Sequence, residues 1–232
     1  MTKIKLPQLG APLANRLRAR RTRLAWLWST RKFPVLKRSL DLALIFPALL
    51  LLSPLFLLVA LSIKLYDRGP VLFWQQRVGL NGRIFSFPKF RSMCVNAETV
   101  RAALLAANEH GSEGVTFKMK RDPRITPIGR LIRRTSIDEL PQLWSVMRGD
   151  MSLVGPRPPL VSEVARYTMQ ERQRLSVTPG LTCIWQVNGR SEIPFPLQVL
   201  MDIDYIQRRS MGTDIKLIAK TLPAVIRGRG AY

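Results

Sequence analysis

Cysteine, histidine and acidic residues are scarce in this chain, and each scarcity closes off a class of chemistry. Its 232 residues include two cysteines, Cys94 and Cys183, far apart in sequence. They offer neither a disulfide framework nor metal-ligand spacing, and a reducing compartment fits them. His110 is the only histidine, which rules out a multi-histidine zinc site and leaves a Ser-His-Asp triad dependent on that one residue. Its neighbours Asn108, Glu109, Gly111 and Ser112 read as a solvated loop instead. Aspartate and glutamate number 15 against 37 lysines and arginines, a formal charge of +22, so the partner must be anionic: nucleic acid, acidic lipid or a phosphorylated substrate. No internal repeat or low-complexity linker is found. With 47% apolar residues, the chain is suited to one sizeable core rather than disorder throughout.

Charge is missing altogether from Leu42 to Ile63, LALIFPALLLLSPLFLLVALSI, a run long enough to cross the roughly 30 Å hydrocarbon layer as one straight helix. Pro54 argues against straightness, because it lacks an N–H and its ring crowds the Leu50 carbonyl. A bend or break is expected at Ser53-Pro54, with Ser53 able to satisfy the freed carbonyl, and Pro47 adds a second disturbance. Split there, the halves have about 12 and 10 residues, roughly 15–18 Å each, too short to span separately. No acid occurs in residues 1–40, which carry Lys3, Lys5, Arg16, Arg18, Arg20, Arg21, Arg23, Arg31, Lys32, Lys37 and Arg38, while Lys64, Arg68 and Arg77 follow the apolar run. Positive charge on both flanks favours a dip into one leaflet with both ends cytoplasmic; a kinked but spanning signal-anchor helix is the alternative. The run starts too late and is too long for a cleaved signal peptide. The basic stretch with Trp26 and Trp28, beside such an anchor, reads as lying on anionic headgroups rather than on nucleic acid, with a partly disordered tail the plainer option for residues 1–20.

Residues 71–80 and 83–93 are strand-like runs joined by Asn81-Gly82, a two-residue hairpin signal because both positions accept positive φ. Lys89 and Arg91 in FPKFRSM are candidate phosphate contacts or ordinary solvated charges. Residues 97–108 suggest a helix, and Gly111 to Gly114 a flexible link. In 126–134, Ile128, Leu131 and Ile132 share a face beside Arg130, Arg133 and Arg134, the pattern of an interfacial amphipathic helix. The next stretch, TSIDELPQLW (135–144), is the most informative: Asp138 and Glu139 stand behind those arginines. As neighbours on a helix they diverge by about 100°, so two roles are indicated. Ser136 to Glu139 also matches the S-x-x-E capping box, which would make both carboxylates structural. A carboxylate at a helix start among arginines nevertheless stays ionised, as a phosphate-attacking nucleophile must. Residues 149–158 form a proline-locked turn suited to hold Arg157 for bidentate phosphate contact. Residues 160–175 look helical, 178–190 a compact loop region, and 213–222 helical again.

Taken in order, SPLFLLVALSIKL, GPVLFWQQRVG, FPKFRSM, DPRITPIGRLIRRTSIDELPQLW, GDMSLVGPRP, VTPGLTCIWQVNGR and RGRGAY resemble the bacterial sugar transferases. These are monotopic phosphoglycosyl transferases, and they include the undecaprenyl-phosphate galactose phosphotransferases. The resemblance runs from about Lys37 to Tyr232. It implies transfer of a sugar 1-phosphate from a nucleotide diphosphate sugar to polyprenyl (undecaprenyl) phosphate, with release of nucleoside monophosphate, at the start of exopolysaccharide or other surface glycan synthesis. By position it implies Asp138 as the nucleophile that becomes a phosphosugar ester, Glu139 as a Mg²⁺ ligand, and Arg133 and Arg157 as phosphate ligands. Ser53-Pro54 matches the helix-breaking pair of a re-entrant anchor. Two departures stand out, Pro88 in FPKFRSM and Cys183-Ile184 in LTCIWQVNGR. Larger members carry additional N-terminal membrane helices and a further domain, and neither is expected here.

The expected fold is therefore α+β and mainly helical: a basic segment (1–37), a re-entrant membrane helix hairpin (38–66), and a small cytoplasmic catalytic domain (67–232) with a β-hairpin and interfacial amphipathic helices. The expected place is the cytoplasmic face of a bacterial inner membrane, and a homo-oligomer is compatible with it. The competing reading is a non-catalytic basic membrane adaptor for acidic lipids or proteins, with Asp138-Glu139 merely a cap. A second enzymatic alternative has the lipid phosphate attack the donor directly.

Overall fold

The structure, a computed structural model, describes residues 33–97, 99, 122–189 and 192–227. The basic segment through residue 32, most of the expected helix 97–108 and the Gly111–Gly114 link lie outside the described residues. By its internal contacts the chain divides into residues 1–39 and 40–232. The described part is mainly helical, with one small β-hairpin and one long apolar helix near the N-terminus.

Helix α1 spans Phe33–Asp67 and is long and apolar enough to cross a membrane by length and composition. Its contour is about 52 Å at 1.5 Å per residue. Helical structure continues through Pro47 and Pro54, so of the bend or break expected at Ser53-Pro54 there is no break in the helix. Ser53 Oγ donates to the Leu50 carbonyl at 2.8 Å, which supplies the donor that Pro54 withholds. Ile45, Leu49, Leu52, Phe56, Val59, Ala60 and Ile63 recur every three or four residues and form an inner stripe. Its first part packs on Phe85, Phe87, Leu143, Val146 and Met151, its second on Phe90, Ile132, Ile128 and Ile137. The outer face leaves Phe46, Leu50, Leu51, Leu57, Leu58 and Leu65 exposed, a contiguous apolar band of the kind that marks a membrane or protein contact.

Strands β1 (Leu72–Val78) and β2 (Ile84–Phe90) form the antiparallel hairpin, with Val78 opposite Ile84 and Leu72 opposite Phe90. The connection is longer than two residues, a single 3₁₀ turn at Leu80–Gly82, though Asn81 (φ 54°) and Gly82 (φ 84°) both adopt the positive φ expected of them. Helix α2 (Pro127–Arg134) starts where sequence places it, with Thr126 Oγ1 accepting from Gly129 N at 2.9 Å and Pro127 in the first turn. Any side chain at Gly129 would run into the Ser92 backbone, so this glycine lets the helix close on the end of the hairpin.

A 3₁₀ turn (Ile137–Gln142) leads into α3 (Leu143–Arg148), which ends at Gly149 with φ 90°. Short strands β3 (Ser152–Val154) and β4 (Gly180–Thr182) pair in parallel, an element missed in the sequence. The helix expected over 160–175 is in fact broken into α4 (Val161–Val164) and a 3₁₀ turn (Glu171–Ser176). Thr168 interrupts it by capping the second piece through Glu171. The region expected to be loop contains α5 (Ile184–Asn188), and two helices follow, α6 (Phe195–Arg208) and α7 (Met211–Arg227). Val154, Tyr205 and Leu217 form their common core.

Candidate active site

Three separate elements meet at Glu139. The hairpin brings Lys89, whose Nζ lies 2.8 Å from Glu139 Oε1; the loop after β3 brings Arg157, whose Nη2 lies 2.7 Å from the same oxygen. Arg157 is placed by its backbone neighbours: Gly180 N donates to Pro156 O (2.9 Å), Val78 N to Pro159 O (3.0 Å), and Arg77 Nη1 to Pro158 O (3.0 Å). The turn that sequence reads as proline-locked thus holds its arginine through carbonyls tied to both strand pairs.

The capping box anticipated at Ser136 to Glu139 does not form. Ser136 adopts φ 57° and makes no side-chain cap bond, and Glu139 turns away toward its two cations. With Ser136 left-handed, Glu139 reaches Lys89 and Arg157 instead of the cap N–H, and the capping explanation of Glu139 falls. The side chains of Lys89, Arg157 and Glu139 remain 18%, 22% and 25% accessible, so a solute can reach them.

Asp138 is different: only 7% exposed, and without a hydrogen bond to any described residue. Burial raises its pKa to about 6, helped by the Glu139 charge and opposed by Lys89, Arg133 and Arg157. The sequence suggests a carboxylate ionised without qualification; the structure makes it one that titrates just below neutrality. Burial also works against the charge of Glu139, but Arg157 and Lys89 outweigh it and hold this carboxyl well below its usual range. Lys89 is pushed down, chiefly by burial. The pair thus splits into one firmly ionised group and one poised group, as two distinct roles require.

Of the other residues singled out in the sequence, Arg133 joins the site: its Nε donates to Ser92 Oγ at 2.9 Å and its charge acts on Asp138. Arg91 does not. Its buried guanidinium pairs with Asp67 at the end of α1. Arg77, considered in the sequence only as a flanking charge, lies against the Phe87 ring (5.2 Å), as does Lys89 (5.5 Å). The hairpin register would have revealed it, since Arg77 stands opposite Phe85 and shares a face with Phe87 and Lys89. Four cations therefore surround two carboxylates, an excess that suits a multiply charged anion.

No cluster of three or more His, Cys, Asp or Glu suited to an ion occurs among the described residues. An all-protein metal cage is absent there, but Mg²⁺ commonly takes only one or two carboxylates and completes its shell with phosphate oxygens and water. Glu139 fits that use through Oε2, since Oε1 is engaged by Lys89 and Arg157. The donor set fits a cation arriving with a phosphorylated substrate.

The family described as bacterial sugar transferase matches residues 32–228. Galactosyl transferase CpsE of Streptococcus agalactiae is 47% identical over 198 residues, which cover 85% of this chain and 43% of that protein. Exopolysaccharide production protein ExoY of Sinorhizobium fredii is 40% identical over 198 residues, 84% of this chain and 88% of that one. The undecaprenyl-phosphate galactose phosphotransferase of Salmonella typhimurium is 41% identical over 199 residues, 85% of this chain and 42% of its own length. The chain thus spans less than half of two of these relatives and most of the third. The matched span includes α1, both strand pairs and every residue of the cationic cluster, and on that ground the chain belongs to the bacterial sugar transferase family.

Proposed function

We propose that this chain transfers a sugar 1-phosphate from a nucleotide diphosphate sugar to polyprenyl phosphate through a covalent intermediate on Asp138. The observation that carries the reading is the convergence of Lys89, Arg157 and Arg133 on a carboxylate pair of which one member is bound and the other free. An Asp138 oxygen attacks the sugar-bearing phosphorus, and the bond from that phosphorus to the bridging oxygen breaks, releasing nucleoside monophosphate. An oxygen of the lipid phosphate then attacks the same phosphorus and expels the Asp138 carboxylate, conserving one high-energy linkage in the polyprenyl diphosphate sugar. Lys89, Arg133 and Arg157 stabilise charge on the transferring group throughout. Glu139 would hold Mg²⁺, which when bound neutralises diphosphate charge. Arg91, tied to Asp67, supports the end of β2 rather than the phosphate.

The two-step route lets the water-soluble nucleoside monophosphate leave before a lipid acceptor arrives, which a site at a bilayer surface needs. The inner stripe of α1 supports a monotopic placement, and the basic flanks assign it to the cytoplasmic face of the inner membrane. From Ile45 to Ile63 one side of the helix is covered by the domain that carries the buried charges, and lipid cannot surround a helix so covered. The exposed leucines then enter one leaflet, with residues 67–232 the catalytic domain. The adaptor reading loses its main support with the missing cap. As a test, protein incubated with nucleotide sugars (UDP-galactose, UDP-glucose, N-acetylated amino-sugar donors), Mg²⁺ and no acceptor is expected to gain one sugar phosphate, mapped to Asp138 by peptide mass spectrometry. An Asp138→Asn protein that still turns over at the wild-type rate would sink the covalent route.

A further inference from the structure

We propose that Arg77 is a ligand for the donor diphosphate, a guanidinium kept without a counter-ion of its own so that its charge is available to the substrate beside Arg157. The inference rests on the transferase reading of this site and adds a residue to it. Gln75 Oε1 accepts from Arg77 Nε at 3.1 Å and from Nη2 at 2.6 Å, which fixes the guanidinium plane; Nη1 donates to Pro158 O at 3.0 Å. All these acceptors are neutral, and Arg77 makes no ion pair among the described residues. One N–H on each of Nη1 and Nη2 has no acceptor there either.

Arg77 and Lys89 flank the Phe87 ring at 5.2 and 5.5 Å. Two carboxylates act on Arg77 through their charge, and neither pairs with it: Glu163 accepts from Leu160 N at 2.9 Å, and Glu139 is already shared by Lys89 and Arg157. Burial and then the Arg157 charge bring Arg77 down to about 10, so it stays protonated at neutral pH while bearing the cost of a like charge. Holding the Pro158 carbonyl needs only a neutral donor. A half-buried cation set beside two others and paired with neither nearby carboxylate is unfavourable until an anion enters, and binding is where that cost is recovered. The neutral residue at 75 is informative: a carboxylate there would make the same two hydrogen bonds and cancel the charge.

The test measures binding of inorganic pyrophosphate to the full chain in nanodiscs by calorimetry at low ionic strength, with melting temperatures alongside. Arg77→Gln is expected to weaken binding about tenfold or more, the range of charge-assisted hydrogen bonds. Gln75→Glu keeps Arg77 fixed but gives it a counter-ion, and it should weaken binding several-fold with an unchanged or higher melting temperature. Should Arg77→Gln not fold, Gln75→Glu decides alone. Folded Gln75→Glu that binds pyrophosphate as wild type does, or wild type that does not bind it, overturns the inference and leaves Arg77 as a clamp for Pro158. Nucleoside monophosphate release by wild type is scored separately. Its absence together with Arg77-dependent pyrophosphate binding would refute the transferase reading and not this one.

Discussion

Two stretches of this chain carry the same local signature, Ser136-x-x-Glu139 and Thr168-x-x-Glu171, and they end in opposite uses. At the second, Glu171 Oε2 accepts from Thr168 N at 2.6 Å and Thr168 Oγ1 at 2.9 Å, while Thr168 Oγ1 accepts from Glu171 N at 3.3 Å. That is a reciprocal cap at an exposed helix start. At the first, Ser136 turns left-handed and Glu139 leaves the backbone for Lys89 and Arg157. Magnitude explains the divergence. A cap is worth about 1 kcal/mol, whereas a hydrogen bond to a charged partner contributes about 1.5–3 kcal/mol, and Glu139 has two within reach. Where no cation competes, the local motif wins; where two half-buried ones do, it loses.

The strongest way to break the comparison is to neutralise both glutamates. Glu139→Gln should lower turnover on the order of a hundredfold or more, since it removes the charge that orders Lys89 and Arg157 and the carboxylate offered to a metal. Its Mg²⁺ requirement should shift to higher concentrations. Glu171→Gln should leave turnover within about twofold, a surface change away from the site. Equal losses in the two variants would mean that the motif acts through folding in both places.

A smaller effect separates Asp138 from every capping carboxylate, because it concerns stability with the opposite sign. A capping acid stabilises the fold when ionised, whereas Asp138 is buried without a hydrogen bond to any described residue and has its pKa raised from 3.8 to about 6. Below the lower value the group is neutral whether folded or not. Between the two values the folded protein keeps a proton that the unfolded chain has lost, so stability falls as pH rises; above about 6 the deficit is constant. Asp138→Asn has no such deficit. It should be more stable than wild type by about 1–3 kcal/mol at about pH 7.5, with the difference fading below about pH 4. Thermal melts across that range check the sign, and a variant less stable than wild type at neutral pH would mean that Asp138 is structurally paired. If Asp138 is the nucleophile proposed above, donor cleavage by wild type should decline as pH falls through about 6, as its carboxylate gains a proton.

Local chemistry made much of this legible in sequence. Thr126-Pro127 starts α2, Asn81-Gly82 takes positive φ, Ser53 rescues the Leu50 carbonyl, and a motif series points to Asp138, Glu139, Arg133 and Arg157. What stayed hidden depends on contacts distant in the chain. Lys89 meets Glu139 across 50 positions and Arg77 meets Pro158 across 81, and no periodicity encodes such a meeting. FPKFRSM gives two basic residues equal standing, while the fold pairs Arg91 with Asp67 and Lys89 with Glu139. The parallel pairing of Ser152–Val154 with Gly180–Thr182 is too short for alternation to register. At Ser53-Pro54 the sequence leaves a bend and a break open, and helical structure continues there with lateral packing on both sides of the proline.

The smallest effects sharpen the comparison most, since they address the two hydroxyl residues that head the motifs. Thr168→Ala removes a side chain that both donates and accepts in the cap, and it should cost about 1 kcal/mol. Ser136 makes no cap bond and occupies φ 57°, a backbone region that glycine enters without a Cβ penalty. Ser136→Gly should therefore be neutral or stabilising by up to about 1 kcal/mol, where the same substitution at a true cap never gains. Chemical denaturation of both variants against wild type checks the pair. Opposite signs mean that the first motif has been released from helix duty to place its carboxylates, and a loss at Ser136 as large as that at Thr168 would restore the cap and with it the structural account of Glu139.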